Sequence, residues 1–343
     1  MADGSLTSTA VPPAFTGNEP VARVDLRPLS TSELIDRGFS LYRAHFTGFL
    51  LLALLCQSAP LMSQLLITAL KLNPPQSELI DRPATYFGKL GILTGIALVA
   101  QLAVFCFEVV ITFYVADAYL GKIPSVKECL RKFTGRVFGS IWTCILSRLL
   151  FALTLIFPLL AAAAIYFYWQ FDTPTTFFPL LVFVGAAVLL LVISLIPMLV
   201  VTMRRLMITI PAIAFEGLTG WKAIRRAATL VRYDPGMGFL YWGEMRLSFL
   251  LLPLFIIELL ILSLTSLPVT LYQFGEVMRH GSGGQIAAPP DSIMILSQIL
   301  TFLAGSLILP LYVIATTLFY YDIRIRREGF DLEFLAEQLG GRR

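Results

Sequence analysis

The chain has 343 residues, of which 57% are hydrophobic and only 14% charged, and its mean hydropathy is +0.79. An ordinary soluble domain carries about 25% charged residues, so the composition excludes that class and points to an all-α integral membrane protein. The net charge of +4 argues for anionic lipid head groups as partners and against a nucleic-acid surface, because the basic residues cluster beside apolar stretches.

Residues 1–29 hold Asp3, Glu19 and Asp25 among Pro and Gly, with no apolar signal region, and read as a disordered cytoplasmic tail. Ser30-Thr31-Ser32-Glu33 then has the spacing of a capping box. Behind it Ile35, Phe39, Tyr42 and Phe46 form one apolar stripe opposite Asp36, Arg37 and Arg43. Such a helix lies in the head-group plane. Apolar spans follow at Phe49–Leu70 and Leu90–Ala116. Ser125-Val126-Lys127-Glu128 predicts a second capped amphipathic helix, leading into spans Val137–Trp169 and Phe177–Met203. A third surface helix opens at Thr219 with Lys222 in place of the acid, so only its N-cap is expected. Spans Met237–Leu267 and Ile293–Tyr321 come next, joined by an external loop containing Gly281-Ser-Gly-Gly284. Each stretch exceeds the roughly 20 residues needed to cross a bilayer, and six spans are expected. Beyond them, Gly329 is placed to end the last helix, and Asp331–Leu339 has the pattern of a short amphipathic one.

Twenty Lys and Arg residues fall in the N-terminal segment, the second and fourth loops and the C-terminal segment, against four on the other side. The positive-inside rule therefore puts both termini in the cytoplasm. Aligning Arg37, Arg131 and Arg226 gives a period of 94 and then 95 residues, with a hydroxyl three positions later each time: Ser40, Thr134 and Thr229. Pro60, Pro158 and Pro253 interrupt the following span. The pattern predicts three tandem units, each an amphipathic helix plus two spans, at about 30–120, 121–217 and 218–322. They make up a membrane domain over 30–322, followed by a cytoplasmic amphipathic tail at 323–343. Two spans per unit make the repeats parallel rather than inverted.

Three segments together carry a family resemblance. Ser32-Glu-Leu-Ile-Asp-Arg-Gly-Phe-Ser-Leu-Tyr-Arg-Ala-His-Phe46, the segment Gly217–Arg232, and the exit Tyr320-Tyr-Asp-Ile-Arg-Ile-Arg-Arg-Glu-Gly-Phe-Asp-Leu-Glu333 are the segments concerned. They resemble bacterial polytopic proteins similar to the membrane domain of glycerophosphodiester phosphodiesterases. The resemblance implies a multi-pass protein of the bacterial inner membrane, from a family mostly uncharacterised. The phosphodiesterase activity there belongs to an attached soluble domain with His, Glu and Asp clusters. Here only His45 and His280 exist and about ten residues follow the exit motif, so that activity does not transfer.

Ionisable residues within spans are the candidate functional groups, because each is costly in hydrocarbon unless paired or hydrated. Glu108 and Arg148 lie roughly 13–18 Å from the cytoplasmic rim and are placed to meet. Glu244 and Arg246 lie at a comparable depth in the fifth span, and Glu258 about 18 Å further along it, with no partner evident at its depth. These five read either as a polar intramembrane cavity or as pairs that fix helix register. Arg37, Arg43, Arg131, Arg226, Arg324, Arg326 and Arg327 read as interfacial, lipid-facing bases that snorkel to phosphates. No metal-ligand spacing, nucleophile motif or cofactor motif occurs, and the chain reads as a non-enzyme. Two functions remain open: a scaffold or accessory subunit that binds lipid and a protein partner through the cytoplasmic face, or a transporter or lipid-handling protein built around Glu258.

Overall fold

In a computed structural model of the protein, the described residues are 27–72, 82–150, 152, 207–231, 243–280 and 289–329, without the side chains of Pro83, Glu244 and His280. All regular structure among them is helical. Among the described residues, four helices are long and apolar enough to cross a membrane. These are α2 (Phe46–Ala69), α3 (Pro83–Tyr119), α8 (Gly243–His280) and α9 (Asp291–Glu328). They contain the first, second and sixth predicted spans almost entirely and the fifth from its seventh residue on. Shorter apolar helices are α5 (Val137–Leu150) and α6 (Met207–Glu216). The rest of the third predicted span apart from Ala152, all of the fourth, the 1–26 tail, the Gly281–Gly284 loop and the Asp331–Leu339 helix lie outside the described residues.

The three surface helices form near the positions read from the apolar stripe of the first and the start signals of the other two, as α1 (Thr31–Ala44), α4 (Val126–Thr134) and α7 (Trp221–Val231). Their starts differ. Ser30 caps α1 as expected, with the Glu33 side chain returning to the Ser30 amide at 2.7 Å, and these bonds hold the Glu33 carboxyl down at about 2. At α4 the capping box is not formed: Ser125 makes no side-chain cap bond, and Glu128 instead lies 3.8 Å from Arg131. At α7 the helix begins at Trp221, so Thr219 is not its cap. Gly220 occupies that position at φ +59°, and its amide donates to Thr143 Oγ1 of α5 at 2.7 Å. A neighbouring helix supplies the acceptor that the local sequence was expected to provide. Gly329 ends α9 in the left-handed conformation, at φ 65°, as its position predicts.

α9 packs against α8, α2, α1 and α3, and α2 also packs against α3. Burial is uneven along α9. Val313–Ile325 is buried almost throughout, whereas Ile295, Leu296, Ile299, Leu303 and Leu307 are exposed. The same end of α3 is buried, from Val109 to Ala118, together with Leu29 and Leu34 of the N-terminal segment. The core thus sits at the end of the spans where the amphipathic helices lie, and the remaining length presents an apolar belt. Among hydrocarbon tails, burial adds little driving force to helix association, whereas at a water-facing rim it adds about 1.5–3 kcal/mol per large side chain.

Candidate functional site

Near the ends of α3, α6 and α9 at the buried end lies an acid, and each of these acids holds a surface element. Asp117, in the last turn of α3 and 8% exposed, accepts from Lys132 Nζ of α4 at 2.6 Å. Glu216, the last residue of α6, is bound by Arg226 of α7 at 2.8 and 3.0 Å and by the Tyr320 hydroxyl at 2.5 Å. Arg226 also reaches Glu328 of α9 at 2.6 Å, so one guanidinium joins three helices. Burial opposes its charge, but the two carboxylates outweigh that and raise its pKa. Asp322 of α9 is 1% exposed. It accepts from Arg246 of α8 at 3.0 Å, from Arg326 at 3.0 Å and from the Leu29 amide at 2.8 Å. Arg246 and Arg326 both donate to the Leu29 carbonyl as well, at 3.1 and 2.7 Å, which pins the segment preceding α1 to the exit of α9.

Aromatic rings fill the space between these pairs. Tyr119 stacks on Tyr321 with centroids 5.4 Å apart, and Phe215 lies 5.5 Å from Tyr320 and 5.0 Å from Tyr321. Arg136 donates to the Ile213 carbonyl at 2.8 Å and to the Ala214 carbonyl, so it caps the last turn of α6 where the helix dipole favours a cation. Burial lowers its pKa. Cys129 of α4 is fully buried beside Asp117, and burial, followed by the charge of that carboxylate, pushes its thiol up to about 11.

The bases read from the sequence as lipid-facing divide into two groups. Arg226 and Arg324 are partly buried against protein partners, whereas Arg326 and Arg327 stay exposed while also bonding within the protein. Arg324 bonds Glu328 at 3.0 Å and lies over the Tyr320 ring, and Arg327 donates to the Thr229 carbonyl of α7 at 3.1 Å. Carboxylates hold Arg226, Arg324 and Arg326. Arg37 is half-buried, 3.5 Å from the Tyr119 hydroxyl. Arg43 is exposed and Arg131 is 81% exposed, so these two remain outward.

Among the described residues, the side chains of Arg148, Arg246 and Glu258 bond to different partners. Arg148 donates to Gln101 of α3 at 2.7 Å and lies within electrostatic range of Glu108 without a direct ion pair. Arg246 belongs to the Asp322 cluster, and the side chain of Glu244 lies outside the described residues. Glu258 has a partner that depth counting missed: the Tyr312 hydroxyl of α9 donates to its Oε2 at 2.7 Å. Asp117, Glu216, Asp322 and Tyr312 escaped the sequence reading. An acid in the last turn of an apolar stretch, just before a basic segment, was the available signal. Among the described residues no group of three His, Cys, Asp or Glu side chains is arranged to hold a metal ion, and all four cysteines are free. No protein-family model, curated protein or solved structure matches the chain.

Proposed function

We propose that the protein is a non-enzymatic scaffold or accessory subunit of the bacterial inner membrane, with six spans in three tandem units and both termini cytoplasmic. It presents a fixed cytoplasmic face to anionic lipid and to a protein partner. The observation that carries this reading is the fastening of α1, α4 and α7 by the acids Asp322, Asp117 and Glu216. α1 comes first in sequence yet is held by the last described helix, so the three surface helices are tied into one face.

What that face leaves outward suits lipid contact. Arg43, Lys127, Arg131, Lys222 and Arg225 are exposed there. Beside them are Ile123, Trp142 and Trp221, at 95%, 60% and 57% exposure. Cations together with exposed aromatic and aliphatic side chains favour a negatively charged membrane interface. The resemblance of the 32–46, 217–232 and 320–333 segments to the membrane domain of glycerophosphodiester phosphodiesterases is in keeping with this role, since that domain is the part without the catalytic clusters.

The test is gentle affinity purification of the full chain in native-lipid particles, with mass spectrometry of bound proteins and lipids. A stoichiometric protein partner that disappears when 331–339 is deleted is the expected result. A solitary protein carrying one selectively enriched lipid would overturn the scaffold reading in favour of lipid handling.

A further inference from the structure

The Glu258–Tyr312 pair lies apart from the fastened face. Glu258 is the one charged residue of α8 between Arg246 and Glu276, with eleven uncharged residues before it and seventeen after. Arg246 stands with Asp322 and Leu29 at the fastened end, not roughly 13–18 Å inside it as its place in the predicted span implied. Counted from that end, twelve residues amount to about 18 Å of helix, close to the middle of a hydrocarbon layer about 30 Å thick. Its side chain is exposed on the helix, and no cation among the described residues lies within ion-pair distance. From α9 the Tyr312 hydroxyl faces it. From α1, Leu34, Ile35, Gly38 and Phe39 line an apolar groove with Ile257, and the Tyr42 hydroxyl is committed to the Leu307 carbonyl. The α7 cations stand on the surface helix at the fastened face, where Glu216 and Glu328 hold Arg226. An isolated carboxylate in hydrocarbon is strongly disfavoured, and uptake of one proton removes its charge.

Polar side chains run from this pair toward the far end of α8. Thr265 and Glu276 lie 7 and 18 residues beyond Glu258, on the same helix face. On α9, Thr301 and Gln298 lie 11 and 14 residues from Tyr312, also on one side. The two rows meet: Thr301 Oγ1 donates to Thr265 Oγ1 at 3.2 Å, and Ser297 Oγ donates to the Thr265 carbonyl at 2.9 Å. Gln298 Nε2 donates to Thr68 of α2 at 2.9 Å, while its Oε1 is buried with no partner among the described residues. Between Thr301 and Tyr312, Gly305 leaves room for the Gln57 amide, whose Nε2 would stand 3.1 Å from any Cβ there. Glu276, 7% exposed and 3.3 Å from Arg279, closes the row.

We propose that Glu258 is a reversible proton-binding site at the membrane midplane, reached along this polar seam from the end of α8 that carries Glu276. One proton, taken from water at that end, adds to the carboxylate to give the neutral carboxyl, and the reverse step returns it. No other bond changes, and Tyr312 keeps its own proton while donating to Oε2. The site is independent of the scaffold reading, which neither needs nor excludes it.

The experiment uses the full chain in proteoliposomes and a hydrophobic carbodiimide, which modifies protonated carboxyl groups, with the adduct located by mass spectrometry. Modification of Glu258 that falls as pH rises from 5.5 to 8.5, and is absent in Glu258→Gln, is expected. Tyr312→Phe removes the hydroxyl that donates to Oε2, so the adduct yield on Glu258 at a given pH should differ from that of the wild type. In vesicles with different pH on the two sides, labelling follows the compartment at the Glu276 end. No adduct on Glu258, an adduct yield indifferent to pH, or dependence on the opposite compartment would overturn the proposal. Protection by Na⁺ or K⁺ at fixed pH would also overturn it, by making the site one for a metal cation. Should Glu258→Gln not fold, the wild-type pH series and Tyr312→Phe still decide.

Discussion

Asp322 serves three segments at once, and its removal is therefore the most informative single change. Asp322→Asn keeps the shape but leaves Arg246, 12% exposed, facing a neutral amide, with Arg326 beside it. Breaking a buried pair by removing one partner costs about 3–5 kcal/mol, because the other charge stays behind without compensation. Thermal unfolding in detergent should show that loss, and Arg246→Met added to Asp322→Asn should cost less than the two changes summed. Full additivity would mean that the ion pair contributes nothing. The sequence offered half of this site. Arg246 was marked as an intramembrane cation, but counting depth along one chain named no acid across the interface for it. Its actual partner is 76 positions further on, across a helix interface that no local pattern encodes. For a related reason Arg226, Arg324 and Arg326 read as snorkelling side chains: the rule that directs bases to phosphate takes no account of the carboxylates that hold them.

At the scale of elements, an apolar stripe located the first surface helix and start signals the other two, and the Ser30–Glu33 and Gly329 ends were legible because their bonds are local. The Ser125 and Thr219 caps did not form: Glu128 pairs with Arg131 of its own helix, and α7 starts after Gly220, whose amide donates to Thr143 of α5. Close helix contacts were equally invisible. Gly48 of α2 faces the Tyr114 hydroxyl of α3 so closely that an added Cβ would overlap it, and Tyr114 is itself 5% exposed and edge-on to Phe49 at 4.9 Å. Gly48→Ala must therefore displace a buried ring or separate α2 from α3, an overpacking cost of about 1–3 kcal/mol. Tyr114→Phe removes the oxygen that collides first, so the double variant should recover part of the lost thermal stability. A double variant no better than Gly48→Ala would show that the helices part for another reason, such as the ring carbons that also crowd this point.

For the whole molecule, the last turns of α9 connect what the rest of the chain leaves separate. Within Asp322–Glu328 lie the acceptor for Arg246 and the Leu29 amide, the donor to Thr229, and the carboxylate that meets Arg226. Contacts of this kind join residues 293 positions apart, so the fastened face can form only once the exit segment is present. Two truncations separate this structural duty from partner binding. A chain ending at Gly329 keeps every one of those bonds and the left-handed cap, and should unfold at nearly the full-length temperature while losing any partner held by 331–339. A chain ending at Tyr321 loses Asp322 and Glu328 together, leaving, among the described residues, Arg226 with Glu216 and Arg246 with the Leu29 carbonyl. It should yield far less folded protein, and limited proteolysis should cut near Leu29 and α7 first, because those are the segments released. Equal protection of both truncated chains would show that apolar packing at the buried end holds the face without the ion pairs. The fastening would then record helix register rather than maintain the surface on which the scaffold reading depends.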